Sequence, residues 1–303
     1  MAVMTRANST DVIEVHNVRK TLEFAKPKLV YPQFGQPDMI LRRKSDQATW
    51  IRFNKLAIPE NPLDDEPTFT PETVTDEKVT AQLEFWGNGV KLVEFLEETS
   101  FLNLPDEYKE LLGQNAGETV NAKVRDILKA GTYAQYPNGK TSRSQLISTD
   151  VADLDVFIDA ATQMESLDAP TIGDEYVCVI SPFVKGRLLK NSAFRDAVRY
   201  QKDSMFTGEL ANIDGIRFVR TSTAPTVTNS GSASSVSTVD QSILLGKGAY
   251  GIARLMPGDF QVVVTAPGGH GDEFKVKTAM TWKSYLKAVI LDQTRIRRIE
   301  TAR

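Results

Sequence analysis

The sequence contains few of the residues from which most catalytic and metal centres are built. It has one cysteine, Cys178, and two histidines, His16 and His270, among 303 residues. A single cysteine excludes a disulfide within the chain and a cysteine-based zinc finger, and two histidines exclude a three-histidine metal site. The chain is long enough to bury a core without such cross-links, as one large domain or two small ones.

Long apolar runs and a strong net charge are also missing. The densest apolar runs, 176–180 and 262–264, are far shorter than the roughly 20 residues of a membrane helix. The first residues lack the apolar stretch of a signal peptide. We therefore expect a soluble protein made in a reducing cytoplasm. The net charge of −3 argues against a chain that coats nucleic acid.

Charge is distributed unevenly along the chain. Residues 1–44 carry eight Lys/Arg against four acids, a net +4; residues 60–84 carry one Lys against eight acids, a net −7; residues 283–303 carry six Lys/Arg against two acids, again +4. A solvated face explains any single run. The complementary pattern also predicts that basic ends meet acidic loops on neighbouring copies, which would set register more than affinity. The candidates for these contacts are Asp64, Asp65, Glu66, Arg42, Arg43, Lys44, Arg295, Arg297 and Arg298.

The first 86 residues show two kinds of extended segment. Residues 1–45 have no sustained period and are interrupted by prolines and glycine, so we expect an arm without regular elements. Alternating residues at 49–53 and 79–85 predict a long hairpin over 46–86. Between these strands, thirteen residues hold Pro59, Pro62, Pro67 and Pro71, which excludes a central strand and is typical of a functional loop.

The rest of the chain interleaves helices and strands, which predicts an α+β fold. A helix candidate at 90–98 precedes a long helix from Pro105 to Gly131, on the order of 36 Å, with an apolar stripe. A second unit begins with a helix capped at 148–150. A buried strand at 175–180, helices at 182–189 and 193–200, a strand within 213–220 and a loop at 221–240 follow. Strands near 242–245, 251–255, 260–266 and 295–299 complete the prediction.

Four features invite a chemical interpretation, and each has a simpler one. Residues 246–251 match G-x-G-x-x-G, but the sequence after them breaks too early for the helix that a dinucleotide site needs. The aspartates at 150, 153, 155 and 159 fit helix capping and a solvated face better than a cation site. His270 fits an ordinary turn, and Cys178 a buried thiol. We expect no catalytic, cofactor or metal site.

Five segments, in order, resemble the major capsid proteins of tailed double-stranded DNA bacteriophages, in particular the podovirus-type subfamily. They are QFGQ at 33–36, LEFWGNGV at 83–90, YVCVISP at 176–182, GELANIDGIRFV at 208–219, and WK at 282–283 with RRIET at 297–301. The resemblance covers residues 30–303. It implies an N-terminal arm at 1–45, an extended loop (E-loop) at 46–86, a peripheral domain with a long spine helix at 87–147 and 251–303, and an axial domain at 148–250.

The resemblance also implies a function and partners. Copies of the chain would form hexamers and pentamers that close an icosahedral head shell around DNA, which is contacted without sequence specificity. The protein would be made in the host bacterial cytoplasm and reside in the virion. A separate scaffolding protein, a portal and a decoration protein are expected partners. Some relatives crosslink their loops through a lysine, but residues 61–67 contain none, so we expect a non-covalent shell.

Three alternatives stay open at the level of sequence. A bacterial nanocompartment shell shares the fold and would enclose enzymes instead of DNA. A nucleotide-dependent enzyme would use residues 246–251, and a stabilising thermal shift with ATP or NAD would reveal it. A monomeric binding module would form no particles.

Overall fold

The computed structural model describes residues 29–58, 71–100, 104–192, 194–195, 209–228, 236, 238–257, 259–268, 272 and 274–303. Its helices include α1 (Glu94–Thr99), α2 (Leu104–Leu128), α3 (Leu154–Glu165) and α4 (Pro182–Leu188). The strands are β1 (Gln36–Leu41), β2 (Gln47–Phe53), β3 (Asp76–Gln82), β4 (Glu84–Val93), β5 (Ala134–Gln135), β6 (Tyr176–Ile180), β7 (Glu209–Ile213), β8 (Ile216–Arg220), β9 (Thr226–Thr228), β10 (Thr238–Leu245), β11 (Tyr250–Met256), β12 (Phe260–Thr265), β13 (Lys277–Ile290) and β14 (Ile296–Ala302).

The first sheet has five strands and is built around β13. Its path is β1-β11-β13-β12, and β4 pairs with β13 over ten residues on the opposite edge from β12. The helix α2 covers one face, where Leu112 and Ala116 pack against Val262, Met280 and Trp282. The indole of Trp282 also donates a hydrogen bond to Asn115 of α2 at 3.1 Å. These contacts fix the long helix along the sheet.

The second sheet has seven strands and is buried on both faces. Its path is β5-β14-β10-β6-β8-β7, with β9 beside β10. On one face, Phe157 of α3 and Leu188 of α4 belong to a core that includes Phe218. On the other, Val124 and Leu128 of α2 pack with residues of both sheets. This double cover explains why all five residues of β6 are buried apolar residues.

The strands β2 and β3 form a separate two-stranded hairpin, paired from Gln47↔Gln82 to Phe53↔Asp76. At its root, Ala48 and Trp50 pack with Ile40, Ala253 and Leu255 of the body, by which we mean the two larger sheets and their helices. A two-stranded hairpin is marginally stable alone. The remainder of the hairpin therefore depends on contacts beyond this small cluster.

Much of the predicted element order is confirmed. The hairpin pairs as expected, and α2 forms the predicted long helix, with Asp106 and Glu107 in its first turn. Ser181 caps α4 by accepting a hydrogen bond from the Val184 amide at 3.2 Å. The buried strand at β6 and the strands β8, β10, β11, β12 and β14 are also present.

Several predicted boundaries are wrong for identifiable physical reasons. The helix predicted at 90–98 is strand through Val93, because β4 continues its pairing with β13 that far, and α1 begins only at Glu94. The strand predicted at 79–85 is interrupted at Leu83, between β3 and β4. The helix α3 is capped by Asp153 and not at 148–150, since Asp150 instead binds Asn138 and the Ile147 amide.

The arm and the predicted loop at 221–240 also contain more structure than predicted. Residues 36–41 form β1, which pairs in parallel with the edge of β11, where a proline is tolerated. Residues 226–228 form β9, and β10 begins at Thr238, so the predicted loop at 221–240 is wrong at these positions. The helix predicted at 193–200 lies mostly outside the described residues.

Candidate assembly surface

The outer face of the β2–β3 hairpin carries exposed apolar side chains. Alternation along β2 turns Ala48, Trp50 and Arg52 towards the body, and Ile51 and Phe53 away from it. The side chains of Ile51 and Phe53 are 58% and 69% exposed. Leu56 and Ile58 beyond β2, and Val74 before β3, extend the same exposed apolar character. We call these five residues the hairpin apolar surface; exposed apolar side chains gathered on one element are typical of protein–protein contacts.

Two features anchor the inner face of the hairpin root. The ring of Trp50 lies against Gly251 of β11, where a Cβ would approach Trp50 Cζ2 to 2.6 Å. The guanidinium of Arg52 lies 2.5 Å from Asp292 and 2.6 Å from Glu77. Burial alone would raise the pKa of Asp292, but hydrogen bonds from Thr294 and the Arg52 guanidinium hold it below its usual value. Asp292 is therefore an ionised anchor for β2 at neutral pH.

The anchored root leaves space beside it. A cavity of 390 Å³ is lined by residues of the hairpin root, including Trp50 and Arg52, and by Gly248, Asp292 and Arg295 of the body. Further out, Lys55 reaches Asp168, in the turn after α3, at 2.8 Å, with both side chains more than three-quarters exposed. Exposed pairs of this kind add little stability. The direction of the hairpin therefore depends mainly on Trp50 and Arg52.

The basic candidates are divided between an exposed turn and the interior. Arg42, Arg43 and Lys44 form the turn between β1 and β2, and all three are exposed. Arg295 is half-buried and lies 3.0 Å from Asp292. Arg297 is only 8% exposed and its guanidinium lies over the ring of Tyr133.

Arg298 is occupied within the chain as well. Its Nε lies 2.7 Å from Glu300, and its Nη1 donates to the carbonyl oxygens of Lys129 and Gly131. Among the six basic candidates, those in the turn at 42–44 are thus the most accessible to a second molecule.

The acidic candidates Asp64, Asp65 and Glu66 lie outside the described residues. Among the described acids of the −7 segment, three contact partners within the chain: Glu72 accepts from the Ala57 amide, Glu77 pairs with Arg52, and Glu84 pairs with Lys287. Two of the segment's charges, those of Glu77 and Glu84, are therefore already compensated within the chain.

The glycine-rich segment at 246–251 has a packing role. Strand β11 begins at Tyr250, so a strand and not a helix follows the turn. Gly248 has a positive φ of 69°, a conformation that favours glycine, and Gly251 makes room for Trp50. The helix N-terminus that would bind a pyrophosphate is missing from this described turn.

The other chemical candidates have structural roles or lie outside the described residues. Burial raises the pKa of the Cys178 thiol far above its usual value, which keeps it protonated and unreactive. Asp153 accepts hydrogen bonds from the Leu154 amide and Asn191. His16 and His270 lie outside the described residues. Within the described part of the chain, no cluster of three metal-binding side chains is present, and no helix is long and apolar enough to cross a membrane.

The hairpin apolar surface was not predicted from the sequence, although the pattern that indicates it is present there. Ile51 and Phe53 alternate with Trp50 and Arg52, so apolar residues occur on both faces of β2. A hairpin that packs against the rest of its own chain on one side needs apolar residues on that side alone. Apolar residues on both faces indicate that the second face also meets protein.

Comparison with known proteins identifies the family. The sequence matches the family model described as phage capsid protein over residues 76–299. No curated protein matches it. The fold is similar to the capsid of Ralstonia phage GP4, with a TM-score of 0.75 and 14% identity over 91% of each chain.

Two cyanophage capsids are similar as well. The Pam1 capsid matches with a TM-score of 0.65 and 11% identity, over 100% of this chain and 94% of that one. The P-SCSP1u capsid matches with a TM-score of 0.65 and 15% identity, over 90% and 88%. At these identities the likeness shows a shared fold. The family model, which spans well over half of the residues, supplies the relationship, and the nanocompartment and enzyme alternatives are not favoured. The chain belongs to the phage capsid protein family and is a shell-forming structural protein of the virion with the tailed-phage capsid fold.

Proposed function

We propose that this chain is the major subunit of an icosahedral head, and that the hairpin apolar surface is its principal contact with the next copy in a hexamer or pentamer. The observation that carries this proposal is the exposure of Ile51 and Phe53 on a hairpin whose other face is already packed. Burying apolar area contributes about 25 cal/mol per Å². Repetition of this contact in every subunit supplies the assembly energy.

Serine substitution of Ile51 and Phe53 tests this role. Both side chains are exposed in the subunit, so the free energy of unfolding of the double variant should lie within about 0.5 kcal/mol of that of the unmodified chain. Closed shells counted by electron microscopy should fall to a small fraction of the usual yield. Thr49→Ser on the same face of β2 is the matched control and should assemble normally. Normal shell yield from the double variant would refute the proposal.

A second, electrostatic contact is proposed between the acidic loop tip and the basic turn of a neighbouring copy. Arg42, Arg43 and Lys44 are exposed and available, and the loop carries Asp64, Asp65 and Glu66. Single exposed pairs contribute roughly 0–1 kcal/mol, so the effect would come from repetition. Neutralising the three acids to Asn and Gln should reduce shell yield without unfolding the subunit, and the difference in yield from the unmodified chain should be largest at low salt and shrink as salt screens the contact. Unchanged yield at every salt concentration would exclude this contact.

The remaining expectations are proposals about the particle. The domain division given above crosses both sheets: β14 of the proposed peripheral domain pairs with β10 of the proposed axial domain, and β1 of the proposed arm pairs with β11 of the peripheral domain. The subunits would be made in the host cytoplasm, hold together without covalent crosslinks, act without enzymatic activity, and have a scaffolding protein, a portal and a decoration protein as partners. Shells boiled in SDS should run as monomers near 33.6 kDa; a persistent ladder of larger species would contradict the non-covalent shell.

A further inference from the structure

Asn121 is a wholly buried polar residue in the middle of the long helix α2. An interior helical position disfavours asparagine, whose side chain competes with the backbone for hydrogen bonds. Neighbouring positions on the buried stripe of α2 are apolar, such as Val124 and Leu128. The amide therefore has a specific set of partners that offsets this disadvantage.

Those partners come from two distant parts of the chain. Asn121 Oδ1 accepts hydrogen bonds from the backbone amides of Val30 and Tyr31, each at 3.0 Å. Its Nδ2 donates to Thr223 Oγ1 at 2.8 Å. Arg125, one turn further along α2, donates to the Thr223 carbonyl oxygen at 3.0 Å. One side chain thus joins the N-terminal segment, the long helix and the turn that follows β8.

The backbone of Tyr31 is held from its other side as well. The hydroxyl of Tyr250 donates to the Tyr31 carbonyl oxygen, and the Tyr31 side chain is fully buried. Residues 29 and 30 belong to no strand, so side chains form the backbone hydrogen bonds that strand pairing would form in a sheet. Leu29 lies beside Ala116, Gly117 and Val120 at a small cavity, so the anchored backbone begins against α2.

We infer that Asn121 is the positioning residue for the N-terminal segment: by holding the backbone of Val30 and Tyr31 against α2, it fixes the point at which residues 1–28 join the folded chain. The assembly consequence rests on the proposed function. A segment that starts from a fixed point reaches the same place on each neighbouring copy. If this point is no longer fixed, we expect the subunit to stay folded but fewer contacts between copies to close correctly.

The test combines hydrogen exchange of the full chain with particle counts. In Asn121→Ala, the Val30 and Tyr31 amides lose their acceptor and should exchange about tenfold faster or more, with little change in β6 or β10. Asn121→Asp keeps an acceptor and should retain most of the protection. Asn115→Ala is the matched control on the same helix, since it removes the bonds to Asn88 and Trp282 but none to residues 30–31.

Shell yield from expressing cells should fall about tenfold in Asn121→Ala and stay near the unmodified level in Asn115→Ala. If Asn121→Ala does not fold, Thr223→Val replaces it, because it removes the acceptor of Asn121 Nδ2 and leaves the core intact. Exchange of the Val30 and Tyr31 amides should then be faster and shell yield lower, as expected for Asn121→Ala. Normal shell yield despite lost protection at residues 30–31, or unchanged protection, overturns the inference. Failure of the unmodified chain to form any particle would instead overturn the proposed function.

Discussion

At the scale of single residues, Glu300 is the most consequential charge in the described structure. It is fully buried, and its carboxylate accepts hydrogen bonds from Arg143 at 2.5 and 2.7 Å and from Gln241 at 2.8 Å. Arg298 lies 2.7 Å away. Burial alone would raise the pKa of Glu300, but Arg143, Gln241 and the charge of Arg298 outweigh it and hold the pKa below its usual value. This cluster ties β14 to β10 and to the segment before α3.

Replacing Glu300 with Gln should destabilise the subunit by about 3 kcal/mol at pH 7, because two arginines lose the carboxylate that compensates them. Urea unfolding of the dissociated subunit measures this change. Asp168→Asn is the control: it removes an exposed partner of Lys55 and should have no measurable effect. Equal stability of Glu300→Gln and the unmodified chain would contradict the role of the cluster.

The same residue predicts a pH dependence. Because the folded-state pKa of Glu300 is depressed, its contribution is complete above the unfolded-state pKa of about 4.3 and is lost as the pH falls from there towards the folded value. The stability difference between the unmodified chain and Glu300→Gln should therefore be constant from pH 5 to 7 and shrink below about 4.3. A difference that persists unchanged to pH 3 would exclude this mechanism.

At the scale of elements, the hairpin root decides how the assembly surface is presented. Trp50 occupies the space that Gly251 leaves open, and Arg52 shares Asp292 with Arg295. The cavity beside this root means that few other contacts resist a tilt. The glycine motif that first suggested a nucleotide site is thus explained by the docking of a strand that lies two hundred residues earlier.

Gly251→Ala should displace the hairpin, because the added Cβ would meet the Trp50 ring at 2.6 Å, and should cost about 1–3 kcal/mol. Trypsin should cleave faster at Lys55 and Lys78. The control is Gly186→Ala in α4, where a Cβ meets nothing within 4 Å, and stability should rise by up to about 1 kcal/mol. Cleavage of Gly251→Ala at the unmodified rate would show that the hairpin is anchored elsewhere.

Elements governed by local sequence were predictable, and those governed by distant pairing were not. The stripe of Leu112, Ala116, Val124 and Leu128 is enough to predict α2. By contrast, β13 was missed altogether, although Met280, Trp282, Leu286 and Ala288 alternate along it. Because lysines occupy its other face, the segment was interpreted as part of a basic C-terminal region and not as a strand. The ten-residue pairing with β13 also extends β4 into the predicted helix, which no local propensity reveals.

The candidate site was predictable in position but not in chemistry. Proline content and alternation located the hairpin at 46–86, whereas its exposed apolar face emerged only when β2 was seen packed on one side. Likewise, Arg297 and Arg298 count as surface charge in the sequence, yet one is buried against Tyr133 and the other pairs with Glu300. Charge counted along a sequence does not distinguish internal pairs from charges available to a partner.

At the scale of the whole molecule, two sheets share α2, and the body leaves one two-stranded element largely uncovered. We propose that a second copy of the same chain covers it. The family relationship makes the protein a shell subunit, and Ile51, Phe53 and their neighbours form the surface on which the second copy would lie.

Electron microscopy of the purified, expressed protein tests this claim most directly. We expect closed shells, tubes or ring-shaped capsomers, with density over the outer face of each hairpin contributed by the adjacent subunit. A protein that stays monomeric at every concentration, or particles in which that face of the hairpin is open to solvent, would contradict the account.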